Sequence, residues 1–265
     1  MSFKKQDAEG TGVLMGWDGS SVEMGEKRSN EEELSKRQKK LKHGKLAQKR
    51  REQAAYEEEK LRKLPMQGAE AISEHFATVI RAQNPDLSAI ELDEMYLKKS
   101  EFLGTEAFDG VRNLHEFPGF MARFSRAPRA IVLSMSNIRV ADVYRSLGGS
   151  SQCVKLFAKN KLHEDVATVE SVLGADKDKK DKKDKKDKDS KKKIKYFVAT
   201  PTRLEKLLES TELFFEGKDK LDIILDASYL DSKKNSLLDS ENTKVLCKVL
   251  RTMLDKKSSV KVLLY

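Results

Sequence analysis

Two segments hold the residue types that could do chemistry. Tyr196-Phe-Val-Ala-Thr200-Pro201-Thr202-Arg203 is an apolar run ending on a hydroxyl, a proline and a guanidinium, and Leu221-Asp-Ile-Ile-Leu-Asp226 is an apolar run ending on a carboxylate. A Thr and an Arg at the start of a helix suit an anion, because the first N–H groups of a helix lack partners and point outward. The same residues also make an ordinary helix start, with Thr200 as N-cap and Pro201 in the first turn. Both readings of Thr200, Pro201 and Arg203 stand, a phosphate contact and a structural helix start. Asp226 alone offers too few oxygens for a divalent cation, so a capping or turn role is expected for it. No Gly-x-x-x-x-Gly-Lys-Ser/Thr occurs, which removes the backbone cradle, the lysine and the metal-binding hydroxyl of a polyphosphate site. His43, His75, His115 and His163 are scattered without metal-ligand spacing. Cys153 and Cys247 each sit inside an apolar run and read as two buried thiols rather than a disulfide.

A second kind of chemistry is in the charge. The 265 residues have a formal net charge of +9, but residues 27–63 hold 14 Lys/Arg against 7 Glu, and residues 176–193 hold 11 Lys against 6 Asp. The rest of the chain is therefore slightly acidic, and the basic character belongs to two arms on a near-neutral body. In the first arm Lys36, Arg37, Lys39, Lys40, Lys42, Lys45, Lys49, Arg50 and Arg51 are the candidate RNA contacts. Lysine and arginine gain affinity by releasing counterions from a polyanion, without reading sequence. A solvated charged helix is the plainer alternative. No run approaches the ~18 apolar residues of a membrane span, and Met1-Ser-Phe-Lys-Lys has no apolar stretch of a secretory leader. The expectation is a soluble intracellular protein with no membrane partner.

These residues need elements to position them. Residues 1–28, rich in Gly, Ser and charge around a single Trp17, are expected to be a disordered tail or a short docking peptide. Residues 29–65 read as a basic helical arm, opened by Asn30 and three glutamates and stopped by Pro65. Ile72, Phe76, Val79 and Ile80 fall on one helical face, and Ser88 with Glu91 reads as a capping box. Residues 102–124 are irregular, with Phe102, Phe108, Phe117, Phe120 and Phe124 and a short helix expected only at 120–124; they are an aromatic candidate to fill an open cleft. Strands are predicted at 130–133, 153–157, 196–199, 221–225 and 260–264, with helices at 140–147, 164–173, 201–208 and 242–254 between them. That alternation predicts an α/β fold with one doubly wound parallel sheet of about five strands. The Lys/Asp run within 175–193 has no apolar residue and is expected to be a disordered insertion in a domain spanning 66–265.

The order of these elements resembles the first RecA-like domain of DEAD-box RNA helicases over about residues 130–265. Thr200-Pro201-Thr202-Arg203 is similar to that family's Thr-Pro-Gly-Arg motif. Ile223-Ile-Leu-Asp226-Ala227-Ser228-Tyr229 stands in the place of the Asp-Glu-Ala-Asp box, and residues 130–139 in the place of the Pro-Thr-Arg-Glu-Leu segment. Ala227 and Tyr229 replace the box's Glu and last Asp, and Met135-Ser136-Asn137 lacks the Pro and Arg of its segment. Positioning and charge stabilisation are nearly all of phosphoryl-transfer catalysis, so these losses argue against ATP hydrolysis. The basic arm, the degenerate helicase-like domain and the Ala-Thr-Pro-x-Arg segment together resemble the Cms-one family of small-subunit (90S) pre-ribosome components.

That resemblance implies a non-catalytic scaffold for ribosome assembly in the nucleus and nucleolus. It implies pre-ribosomal RNA and assembly proteins as partners, a monomer within a larger complex, and neither cofactor nor small-molecule substrate. The alternative of another class is a pure protein–protein adaptor, with Trp17 and the long helix as ligands for partner grooves.

Overall fold

The computed structural model describes residues 44–174, 194–238 and 242–265. The tail with Trp17, the arm before residue 44 and the Lys/Asp run lie outside the described residues. The chain divides into two compact units, Met1–Arg50 and Arg51–Tyr265.

Eight helices and five strands are present among the described residues. In chain order they are α1 (Lys45–Lys63), α2 (Ala69–Gln83), α3 (Ala89–Met95), α4 (Phe117–Phe124), β1 (Arg129–Leu133), α5 (Asn137–Ser146), β2 (Cys153–Leu156), α6 (Leu162–Gly174), β3 (Tyr196–Ala199), α7 (Pro201–Ser210), β4 (Leu221–Leu225), α8 (Asn242–Lys256) and β5 (Val260–Leu264). All strand pairs are parallel, in the order β2-β3-β1-β4-β5. The α/β layer anticipated from the alternation of apolar runs and helical spacing is therefore present, consistent with a RecA-like fold.

The strands are mostly apolar because both faces of the sheet are covered, their charged residues being Arg129, Lys155, Asp222 and Lys261. Ile131, Leu133, Phe197, Ile223, Leu225 and Val262 face the core shared with α2, α6, α7 and α8. Ala130, Val132, Val198, Ile224 and Leu263 alternate to the other side, against Phe117, Phe120, Met121, Val140 and Val143 of α4 and α5. On the first side Ile72, Phe76 and Ile80 of α2 are fully buried, as their spacing predicts. The Ser88 capping box forms: Ser88 Oγ accepts from Glu91 N, and Glu91 Oε2 accepts from Ser88 N at 2.8 Å. α5 starts three residues earlier than its apolar pattern suggests because Ser136 caps it, its Oγ accepting from Arg139 N at 3.2 Å.

Two connections position the site. β1 leaves through α5 towards β2, while its neighbour β4 leaves through α8 towards β5. Their exits diverge, so the crevice of this open sheet lies outside the carboxyl ends of β1 and β4. The outer edge of β5 is covered by Phe102, which bridges Val262 in parallel fashion, and by Leu103, whose N–H donates to Val262 O at 2.9 Å. Phe102 stacks on Phe76 with ring centroids 5.6 Å apart, whereas Phe108, Phe117 and Phe120 surround Tyr265 beyond the end of β5. The aromatics of residues 102–124 thus divide between the two faces of the sheet.

Candidate functional site at the carboxyl edge of the sheet

The strand registers place Leu156, Ala199, Leu133, Leu225 and Leu264 in one row. The next residue of each strand then lines the carboxyl edge: Phe157, Thr200, Ser134, Asp226 and Tyr265. At the crevice between β1 and β4, Asp226 receives two parallel hydrogen bonds from Arg139, Nε to Oδ2 at 2.7 Å and Nη2 to Oδ1 at 2.9 Å. Ser134 Oγ lies 3.1 Å from the same Oδ2. The side chains are 6% and 0% exposed, so this is a buried, forked ion pair. Tyr229 closes it from above, its ring centroid 4.1 Å from the guanidinium carbon of Arg139. Burial alone would lower the pKa of Arg139, but the hydrogen bonds and charge of Asp226 outweigh it and hold the guanidinium above its ordinary value. Both oxygens of Asp226 are engaged inside the protein, a firmer role than the cap or turn expected for it. Arg139 reaches the crevice because it sits in the first turn of α5, three residues after the capping Ser136.

Beside this pair, over β5, the edge is filled by Arg112. Its Nη1 donates to Leu264 O at 2.9 Å, and its Nη2 to Pro65 O at 2.8 Å and Thr105 O at 2.9 Å. Thr105 Oγ1 lies 3.0 Å from both Pro65 O and Leu264 O. The rings of Phe108, Phe120 and Tyr265 stand 5.5, 5.5 and 5.8 Å from the guanidinium carbon. Arg112 is 8% exposed, and among the described residues no carboxylate pairs with it. Burial therefore depresses its pKa to about 10, with the charge of Tyr265 opposing the shift. The polarity of this seat is the reverse of an anion site. A phosphate needs converging N–H donors, whereas here carbonyls converge, on the chain's own cation.

Thr200, Pro201 and Arg203 open α7 at the same edge. Thr200 has extended backbone and makes no side-chain cap, and Pro201 occupies the first turn. Arg203 turns inward: Nε donates to Asp165 Oδ2 at 2.7 Å and Nη2 to Asn160 O at 2.8 Å. Asn160 Nδ2 also donates to Asp165 at 2.8 Å, so Arg203 ties α7 to α6 and the loop after β2.

Of the predicted arm, Lys45, Lys49, Arg50 and Arg51 lie exposed on α1, and Lys36, Arg37, Lys39, Lys40 and Lys42 lie outside the described residues. α1 has two electrostatic halves. Residues 45–51 contain four Lys/Arg and no acid, whereas residues 52–63 contain four Glu. In that second half Glu58 pairs with Arg62 at 3.3 Å and with Lys234 at 2.7 Å, and Glu59 with Lys63 at 2.6 Å. The stretch of the helix with positive charge and no acid is thus residues 45–51. The carboxyl-terminal end is anchored, with Leu61 against the core and Leu64 buried.

No group of three His, Cys, Asp or Glu side chains suited to a metal occurs among the described residues, and no described helix is long and apolar enough to cross a membrane. Both cysteines are free and buried. His75 is half-buried on α2, its pKa lowered by burial and then by Lys60.

Arg112, Arg139, Asp165 and Tyr229 are the residues that sequence reasoning missed. One signal was available: a carboxylate following the buried run Ile223-Ile224-Leu225 must find a cation if it is buried too. Nothing local in the sequence says which of the many arginines supplies it.

A family model described as "CMS1: U3-containing 90S pre-ribosomal complex subunit" matches residues 20–174. That stretch takes in α1, Arg112 and Arg139, and stops before Thr200 and Asp226. Protein CMS1 of Saccharomyces cerevisiae is 56% identical over 202 residues, covering 76% of this chain and 67% of the relative. Protein CMS1 of Chaetomium thermophilum is 26% identical over 219 residues, covering 73% of this chain and 78% of the relative. No solved structure matches the chain.

Proposed function

The chain belongs to the CMS1 family of U3-containing 90S pre-ribosomal complex subunits, and from that premise we propose that it is a non-catalytic scaffold of small-subunit ribosome assembly in the nucleus and nucleolus. It joins pre-ribosomal RNA to assembly proteins, as one copy within a larger particle. The observation that carries this reading is the filled carboxyl edge. Asp226 is committed to Arg139, and the seat over β5 holds Arg112 among carbonyls, so neither side chain is left to engage a nucleotide or its metal. Protein fills the place where an open α/β sheet takes its ligand.

RNA contact falls to the acid-free half of the arm, Lys36 to Arg51. Its cations neutralise phosphates while Leu61 and the Glu58–Lys234 pair hold the helix to the body. The start of α7 adds a phosphate contact through the N–H of Thr202 and the hydroxyl of Thr200, with Pro201 setting the turn and Arg203 bracing it from behind.

The test is a filter-binding titration of the full chain against ribosomal RNA fragments over a range of salt. Replacing Lys45, Lys49, Arg50 and Arg51 by Gln should make the log–log salt dependence shallower by up to about 3, at roughly 0.7 per phosphate of a single strand. An unchanged slope and affinity would refute the arm reading. Saturable binding of magnesium ATP at millimolar concentration would refute the filled edge.

The adaptor reading is favoured by the exposed Leu46 and Tyr56 on α1, which suit a groove on a partner protein. Crosslinks from α1 to protein alone would select it.

A further inference from the structure

We propose that the open edge of the sheet, β2 and the loop after it, is a second contact surface for single-stranded RNA. The inference rests on the reading of this chain as an RNA-contacting factor. Among the described residues β2 pairs with β3 alone, whereas the opposite edge is covered by Phe102 and Leu103. From residue 143 to 163 the sequence has no Asp or Glu, and it carries Arg145, Lys155, Lys159 and Lys161. The three lysines are exposed, and among the described residues none pairs with a carboxylate side chain. Three acids flank this stretch in sequence, and each has a hydrogen-bond partner. Asp142 pairs with Arg145, Glu164 accepts from the backbone N–H of Lys161, and Asp165 is buried against Arg203.

An aromatic surface backs these cations. Lys155 Nζ lies 5.1 Å from the ring centroid of Tyr144 and 5.5 Å from that of Phe157. Phe157 is buried, whereas Tyr144 is half-buried and keeps part of its ring at the surface. Proteins that hold single strands without sequence preference combine a line of cations for the phosphates with rings on which bases stack. A lysine in an edge strand also guards against unwanted strand addition. That role needs Lys155 alone, and does not account for the cations continuing to Lys159 and Lys161 with no acid between them.

The experiment measures fluorescence anisotropy of a labelled single-stranded ribosomal RNA fragment with the full chain, over a range of salt. K155Q/K159Q/K161Q should make the log–log slope shallower by about 2, at roughly 0.7 per phosphate. Tyr144→Leu should weaken binding about 5- to 100-fold and leave the slope alone, as loss of one stacked base does. The three lysines are exposed and Tyr144 is half-buried, and melts matching the wild type verify folding. Wild-type binding that neither substitution set alters would overturn this inference while leaving the arm reading standing. A wild-type chain that binds no RNA would overturn both. Crosslinks from this edge to protein alone, in a particle where α1 crosslinks to RNA, would also overturn it.

Discussion

Replacing Asp226 by Leu, with Arg139 kept, leaves a guanidinium that is 6% exposed without its anion, and Arg139→Met leaves a fully buried carboxylate without its cation. Removing one partner of a buried pair costs about 3–5 kcal/mol, because the survivor remains dehydrated and uncompensated. A unit the size of residues 51–265 has roughly 5–15 kcal/mol in hand. Either single variant should therefore lose a large share of the stability, seen as a fall in Tm of about 6–20 °C at ~2–4 °C per kcal/mol. The double variant D226L/R139M removes both charges and keeps similar volume. Its remaining loss is the Ser134 hydroxyl's partner, about 1 kcal/mol. Urea unfolding of the two singles, the double and the wild type closes a double-mutant cycle. The expected result is two costly singles and a double within about 1–2 kcal/mol of wild type, with RNA affinity unchanged. Two costly singles whose losses simply add in the double would show that the residues do not interact. A double that kept its stability and lost RNA binding would show that the pair serves binding and does not merely plug the edge.

Arg112→Ala should be comparably destabilising, since carbonyls of Pro65, Thr105 and Leu264 lose their donor. Millimolar methylguanidinium should restore part of the lost Tm, and equal rescue by sodium chloride would refute the cation seat. Ser88→Ala should cost about 1 kcal/mol by removing the cap of α3, read by urea unfolding, and a neutral result would mean the capping box does not hold in solution. Burial pushes the thiols of Cys153 and Cys247 up to about 12, so neither should react with Ellman's reagent at pH 8 until the chain is unfolded. These folded-state values lie above the unfolded thiol's value of about 8.5. The unfolded chain therefore loses its thiol protons first, and stability should fall as pH rises from about 9 towards 12; a thermal melt series that stays flat over that window would contradict the burial.

The alternation of short apolar runs with 3.6-residue spacing was enough to place β3, β4 and β5 at their observed limits, and to place the helices between the strands to within a few residues. Such signals are local: a strand's pattern, the Ser88 cap and the proline at the start of α7 each depend on a handful of neighbours. The missing polyphosphate cradle and the segregated arm charge are equally plain in one dimension. What fills the carboxyl edge is not. Arg139 and Asp226 are 87 residues apart, Arg112 and Leu264 are 152 apart, and Arg203 meets Asp165 across 38. These partners meet because the strand order β2-β3-β1-β4-β5 sets β1 beside β4 and leaves β5 at the edge. Sequence alone determined that a carboxylate and a helix start would stand at the end of a parallel sheet without a Gly-x-x-x-x-Gly-Lys-Ser/Thr cradle. Only the tertiary structure decided which cations would come inward to neutralise and fill that edge, because burial makes pairing compulsory while strand order chooses the partner.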